Sequence, residues 1–106
     1  MLQNINKISP LPKEVIEFLH DTARIGTVER IIVFGSRAIG DYETYSDLDL
    51  AIDAPTIRRM DWLKLKEFAA YDLRTVIRVS LVHFSSNPNK LKERITETGK
   101  IIYARK

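Results

Sequence analysis

The sequence predicts an α/β fold in which a small mixed β-sheet carries helices packed mainly on one of its faces. Two observations favour this fold class. Short apolar runs rich in β-branched residues, such as residues 31–34, have the length of buried strands. Other segments, such as residues 13–23, place their apolar residues at helical spacing. The chain of 106 residues is expected to form one domain, spanning 1–106, with a single core.

The predicted elements alternate along the chain. A lead with Pro10 and Pro12 prevents regular structure before Lys13, where a helix begins that ends near Gly26. Strand, turn and helix signals then follow in order. They are a strand over 28–34, a turn with a short helix over 35–45, a strand over 48–53, a helix over 57–70, a strand over 76–84, a helix over 90–98 and, over 101–104, a final strand or a docking tail.

The helix over 57–70 also has apolar residues that we expect to face inward. The candidate inward residues are Ile57, Met60, Leu63, Leu65 and Phe68.

Composition excludes several classes of protein. Apolar residues make up 44% and charged residues 29%, as in ordinary globular proteins. The chain has no cysteine, so it holds no disulfide or thiolate metal site, which fits a reducing compartment. Its start lacks the continuous apolar core of a signal peptide or membrane span, so we expect a cytoplasmic protein with no membrane partner.

The net charge of +3 comes from basic residues that are scattered along the chain. A nucleic-acid interface would require a denser basic stripe or an aromatic platform, so direct nucleic-acid binding is disfavoured. A modest positive charge instead favours the approach of ATP or of an acidic partner.

The most informative stretch begins with Gly35, Ser36 and Arg37, which directly follow the first predicted strand. Glycine lets backbone approach a ligand closely, and a turn between strand and helix exposes backbone N–H groups. Together with the Ser36 hydroxyl and the Arg37 guanidinium, these groups suit a triphosphate. We therefore expect this turn to bind phosphates.

Asp47 and Asp49 follow after a gap of ten residues and open the second predicted strand. Residues at i and i+2 on a strand point to the same face, about 6.6 Å apart along the chain at ~3.3 Å per residue. Two carboxylates at 4 Å repel by roughly 4 kcal/mol at an effective dielectric near 20, and a divalent cation reverses that cost. Hard oxygen ligands beside a phosphate-binding turn indicate Mg²⁺ that bridges protein and nucleotide.

Each part of this pattern also has a purely structural interpretation. Gly-Ser is a common turn, and a single aspartate often caps a turn or a helix. Their order, with strand signals on both sides, favours the metal–nucleotide interpretation over these alternatives.

The same residues carry a family resemblance. Residues 35–38, Gly-Ser-Arg-Ala, and 45–52, Tyr-Ser-Asp-Leu-Asp-Leu-Ala-Ile, resemble the signature of minimal nucleotidyltransferase (MNT) domains of the DNA polymerase β-like superfamily. The resemblance spans about 28–84 and implies the nucleotidyltransferase, or polymerase β-like palm, fold. The short chain is similar to MNT antitoxins, which are encoded beside HEPN toxins and transfer AMP from ATP to a toxin tyrosine. The resemblance implies that the partner is a HEPN toxin, which binds this protein in a hetero-oligomer.

One position departs from the family pattern. The resemblance places a third catalytic carboxylate in the middle of the third strand, and Ser80 occupies that position here. No substitute is found in the sequence, because Asp53 lies too far along its strand and His83 should point to the opposite face. A neutral serine would bind a second metal ion poorly.

Two hypotheses remain open at this point. One is an Mg²⁺-dependent nucleotidyltransferase antitoxin in which Asp47 and Asp49 hold the metal and Ser80 weakens the third catalytic position. The other is a non-catalytic antitoxin or regulatory module that neutralises its partner by contact. Ser80 favours the second hypothesis, whereas the Gly-Ser turn and the aspartate pair favour the first.

Overall fold

The computed structural model describes residues 2–8 and 10–105. Helices and strands alternate through most of this part of the chain, and short 3₁₀ turns occur at Ile5–Lys7 and Phe84–Ser86. In chain order the principal elements are α1 (Lys13–Ala23), β1 (Arg30–Phe34), α2 (Ser36–Ile39), β2 (Leu48–Asp53), α3 (Arg59–Glu67), β3 (Val79–His83), α4 (Asn89–Thr98) and β4 (Lys100–Ala104).

The four strands form one mixed sheet in the order β3-β2-β1-β4. β1 pairs antiparallel with both β2 and β4, whereas β2 and β3 run parallel. The parallel pair requires a long crossover, and α3 lies within it. The predicted α/β fold with a mixed sheet is confirmed, and the segment after Gly99 is a strand of the sheet.

The two faces of the sheet are covered unequally. On one face, Val15, Phe18 and Leu19 of α1 belong to the larger hydrophobic cluster, with Leu50 of β2 at its centre. On the other face, a small cluster joins Ile95 of α4 to Ile32 and Ala51. The packing of helices mainly on one face is therefore confirmed, and the smaller cluster leaves part of the second face for polar residues.

α3 contributes less to the core than the sequence predicts. Met60 and Leu63 are 64% and 40% exposed, so their assignment as inward residues is wrong. Leu65 and Trp62 pack at the margin of the larger cluster. Because positions 62 and 65 share one side of a helix, only that side meets the core, and Met60 and Leu63 lie away from it.

Two residues that flank α3 make partial contacts with the core. Phe68, expected to face inward, is 42% exposed but stacks on Phe18 with 5.8 Å between ring centroids. It opens a π-helical turn, Phe68–Asp72, which continues α3. Ile57 packs against the larger cluster as expected. Within residues 2–8 and 10–105, every helix is too short or too polar to cross a bilayer.

Candidate nucleotide and metal site

The turn between β1 and α2 has a backbone conformation that favours glycine. Gly35 has φ 74° and ψ −158°, a region that residues with a Cβ atom rarely adopt. A Cβ atom at this position would lie 2.5 Å from Oδ2 of Asp49. Glycine is therefore required twice, by its φ angle and by the carboxylate against it. The backbone of the turn lies directly against the carboxylate of Asp49.

The aspartate pair lies where β2 begins. Asp49 is the register partner of Phe34, the last residue of β1, and Asp47 directly precedes the strand. Asp49 is half-buried and Asp47 is exposed. Burial, followed by repulsion from the carboxylate of Asp47, raises the pKa of Asp49 above its ordinary value of 3.8. The two carboxylates are therefore close enough to repel each other.

No positive side chain of the protein compensates this pair in the described part of the chain. Neither Asp47 nor Asp49 forms an ion pair or a side-chain hydrogen bond with any residue in 2–8 or 10–105. Two interacting carboxylates of this kind offer hard oxygen ligands to a divalent cation. The residues present fit one Mg²⁺ ion, with further ligands from water or a bound phosphate.

Ser80 lies beside Asp49 on the neighbouring parallel strand. The two are register partners, so their side chains project from the same face of the sheet. Ser80 is half-buried and carries no charge. Within the described ranges, no group of three or more His, Asp or Glu residues is placed to hold a metal ion. The position that the resemblance assigns to a third carboxylate is thus next to Asp49 but supplies only a hydroxyl.

The residues considered as substitutes for a third carboxylate are engaged elsewhere. Asp53 accepts a hydrogen bond from Nε of Arg30 at 2.7 Å, at the far end of β2. His83 lies 2.9 Å from the carbonyl oxygen of Ala54 through Nε2, and its ring packs against Trp62. Since Trp62 belongs to the margin of the larger cluster, His83 faces away from the aspartate pair.

Arg37 is directed differently from the arrangement that the sequence suggests. Its side chain is buried, with 3% exposure, instead of reaching into solvent beside the turn. The guanidinium donates hydrogen bonds to the backbone carbonyl oxygens of Ser46 and Thr44, both at 2.9 Å, and of Pro10 at 3.4 Å. It also lies over the ring of Tyr42, 5.4 Å from the centroid. The side chain therefore holds the loop over 41–46.

Sequence reasoning misses the contribution of this loop. The ten-residue gap between the Gly-Ser turn and the aspartates is predicted as a short helix and a connecting loop, with no sign that the carbonyl groups of Thr44 and Ser46 orient Arg37. Backbone acceptors carry no side-chain signature, so the pattern alone gives no signal for them. The one available clue is the single arginine in the turn, because guanidinium groups suit several acceptors at once.

Comparisons with known proteins agree with this geometry. The family model described as polymerase beta, nucleotidyltransferase matches residues 13–106. A search of curated proteins gives no significant match.

Several solved structures share the fold. The crystal structure of a toxin–antitoxin complex with AMP-PNP aligns with a TM-score of 0.66 and 26% identity, over 88% of this chain and 73% of the other. A mutant of the toxin–antitoxin pair MntA–HpeT aligns with a TM-score of 0.65 and 25% sequence identity, over 92% of this chain and 76% of the other. A complex of tri-AMPylated HEPN toxin with MNT antitoxin from Shewanella oneidensis aligns with a TM-score of 0.56 and 25% sequence identity, over 87% of this chain and 68% of the other.

Proposed function

Because the chain belongs to the polymerase beta nucleotidyltransferase family, we propose that it is an antitoxin that transfers AMP from ATP to a hydroxyl group of a HEPN toxin. The acceptor is a tyrosine of the toxin, and the reaction depends on Mg²⁺. The single observation that carries the proposal is the contact between the Gly35 turn and the carboxylate of Asp49, with Asp47 beside it.

The similar complexes support the choice of donor and acceptor. One was crystallised with AMP-PNP, an ATP analogue, and another contains a HEPN toxin that carries three AMP groups. Both align with most of this chain at about a quarter sequence identity. They make ATP the first donor to test and a HEPN toxin the first acceptor.

The roles of the residues follow from their positions. Gly35 and Ser36 form the turn against Asp49, where backbone N–H groups and a hydroxyl suit phosphate oxygens. Asp47 and Asp49 would hold Mg²⁺, which when bound supplies positive charge near the phosphates. The buried Arg37 guanidinium is occupied by backbone carbonyl groups, so its assignment to phosphate is replaced by a role in holding the loop.

The proposed reaction is an in-line displacement at the α-phosphorus of ATP. The tyrosine oxygen forms a bond to this phosphorus, the bond to the bridging oxygen breaks, and pyrophosphate leaves with its electron pair. The tyrosine proton is released to solvent, and the Ser80 hydroxyl beside Asp49 does not serve as its base at neutral pH. Positioning and charge neutralisation therefore provide most of the rate enhancement.

Ser80 specifically favours a second candidate function. A transferase that uses two metal ions needs ligands for both of them, and the described residues supply two neighbouring carboxylates without a third. In this alternative the protein keeps the fold and the nucleotide turn, transfers AMP too slowly to matter and neutralises its toxin by covering it.

Intact-mass spectrometry of the toxin distinguishes the two functions. A HEPN toxin that binds this protein is incubated with it, ATP and Mg²⁺, and a parallel reaction uses Ser80→Asp. Transferase function predicts that the toxin gains the mass of one or more AMP groups with the natural sequence, and gains it faster with Ser80→Asp. Asp47→Asn is the matched control and should abolish labelling in both backgrounds.

Neutralisation of the toxin in cells provides the second measurement. If Asp47→Asn loses labelling and neutralisation together, transfer is the mechanism of the antitoxin. Labelling seen only with Ser80→Asp, combined with full neutralisation by the natural sequence, would replace the transferase proposal with the contact mechanism.

A further inference from the structure

We infer that Arg37 is a positioning residue for the metal site, because its buried guanidinium fixes the loop over 41–46 and thereby the backbone that carries Asp47. The inference deepens the proposed function and rests on it, since it assigns to Arg37 an effect on the affinity for a divalent cation bound with nucleotide.

The guanidinium of Arg37 has several backbone acceptors. Its three nitrogen atoms contact three separate backbone carbonyl oxygens, of Ser46 through Nε, of Thr44 through Nη2 and of Pro10 through Nη1. The planar fork of arginine is suited to such a set of acceptors, whereas the point charge of lysine is not. Tyr42 adds a cation–π contact from within the same loop. One side chain thus connects the loop to α2 and to the segment before α1.

Asp47 lies between two fixed backbone groups. On its N-terminal side the carbonyl oxygen of Ser46 accepts the 2.9 Å hydrogen bond from Arg37. On its C-terminal side the N–H group of Leu48 donates to the carbonyl oxygen of Arg78 at 2.8 Å. Asp47 is itself exposed, so these flanking contacts hold the backbone from which its carboxylate projects. Loss of the first contact would leave Asp47 held from one side only.

Arg37 is also connected to the phosphate turn. Arg37 directly follows Ser36 in α2, and Gly35 before it lies against Asp49. The loop also bonds internally, because the N–H group of Glu43 donates to the Ser46 hydroxyl at 2.8 Å. Arg37 therefore joins the two halves of the site, the turn with Asp49 and the loop with Asp47, into one rigid unit.

Metal affinity tests this role. Binding of Mn²⁺ with a non-hydrolysable ATP analogue is titrated by electron paramagnetic resonance in the natural sequence and in Arg37→Lys and Arg37→Met. Arg37→Met should weaken Mn²⁺ binding about tenfold or more, the loss typical of residues that orient metal ligands. Arg37→Lys keeps the charge and one donor group, so its affinity should lie between the other two. This graded rescue distinguishes positioning from a general loss of packing.

Arg30→Met is the matched control. Arg30 is also a partly buried arginine with a 2.7 Å contact, to Asp53, and its guanidinium lies over the Phe84 ring at 5.0 Å. Arg30 begins β1 opposite Asp53, at the end of the β1–β2 pair remote from Asp47 and Asp49. Arg30→Met should lower the melting temperature and leave the Mn²⁺ affinity within twofold. Equal Mn²⁺ affinities in Arg37→Met and the natural sequence would overturn the inference.

NMR relaxation of the natural protein keeps the test valid if Arg37→Met does not fold. The backbone of residues 41–47 should be as rigid as that of β1 and β2 in the absence of ligand, and a mobile loop would contradict the inference. Failure of the natural protein to bind Mn²⁺ and nucleotide at all would instead overturn the proposed function. The rigidity of the loop would still report separately on Arg37.

Discussion

Asp49 and Asp53 lie on the same strand and the same face of the sheet, yet their surroundings differ. Asp53 pairs with Arg30 across β1, through a 2.7 Å contact at one end of β2. Asp49 pairs in register with Phe34, lies against the backbone of Gly35 and has its pKa raised by burial and by Asp47. The charge of Asp53 is balanced by Arg30, whereas Asp49 forms no ion pair with any residue in 2–8 or 10–105.

The difference separates stability from function along a single strand. An aspartate that is paired with an arginine of the same protein contributes to folding stability and has little capacity to bind a metal cation. A half-buried aspartate beside a like charge costs folding free energy. The two ends of β2 therefore differ in whether their aspartate is paired with a cationic side chain.

Under the proposed function, the largest expected effect is on AMP transfer. Asp49→Asn should lower the rate on the order of 100-fold or more, because loss of a metal ligand removes several kcal/mol of transition-state stabilisation. Asp53→Asn should leave the rate within a few-fold of the natural protein. Single-turnover labelling of the HEPN toxin measures both rates, and equal losses in the two variants would remove the functional distinction between the two aspartates.

A smaller effect is expected when the contact between Gly35 and Asp49 is disturbed. Gly35→Ala should destabilise the fold by about 1–3 kcal/mol, because the backbone there is strained for alanine and its Cβ atom meets a carboxylate oxygen. Gly40→Ala is the control, since Gly40 also has a positive φ, of 85°, but has no atom within 4 Å of an added Cβ. It should cost only about 1 kcal/mol.

Urea unfolding of the two glycine variants measures these costs. Replacing Asp49 by glycine in the Gly35→Ala background should recover part of the lost stability, because the obstructing carboxylate is then gone. Equal costs at Gly35 and Gly40 would show that the carboxylate contact adds nothing to backbone strain.

The smallest effect concerns stability at neutral pH without divalent cations, and it should have opposite signs for substitutions of the two aspartates. The folded state raises the pKa of Asp49, so between the unfolded value of 3.8 and the raised value the native state binds more protons than the unfolded state. Asp49 therefore contributes its full stability to the metal-free protein below pH 3.8, and this contribution is lost as the pH rises through the raised pKa. Asp49→Asn should remove this loss and stabilise the metal-free protein at neutral pH.

Asp53→Asn should instead destabilise the protein at neutral pH by about 1–2 kcal/mol, because Arg30 loses a charged hydrogen-bond partner. Urea unfolding midpoints, measured across the acidic to neutral range for both variants and the natural protein without divalent cations, test the two signs. If both substitutions destabilise equally at neutral pH, the half-buried Asp49 carries no uncompensated charge.

Much of the fold is predictable because local patterns and packing agree. The β-branched run of β1 and the Asp-x-Asp alternation of β2 assign their residues to definite faces of a sheet by strand periodicity alone. The Gly-Ser turn can be predicted from the sequence because few residues other than glycine adopt its backbone conformation. Their proximity follows once β1 and β2 pair antiparallel.

Other features depend on tertiary contacts that no local pattern encodes. The pattern of α3 places Met60 and Leu63 inward, but the sheet meets only the side with Trp62 and Leu65. The sequence places Arg37 beside a phosphate turn without revealing that backbone carbonyl groups occupy its guanidinium. The pairing of Arg30 with Asp53 likewise requires the register of the strands.

The mixed sheet has a consequence for how the site assembles during folding. Gly35, Asp47 and Asp49 all lie within one continuous segment, from β1 through β2, whose two strands pair antiparallel. Ser80 reaches Asp49 only after the long crossover through α3 has closed and the parallel strand has docked. Local pairings form faster than distant ones because less chain entropy is lost in closing them. The two-carboxylate half of the site is thus expected to take shape first, and β3 completes it last.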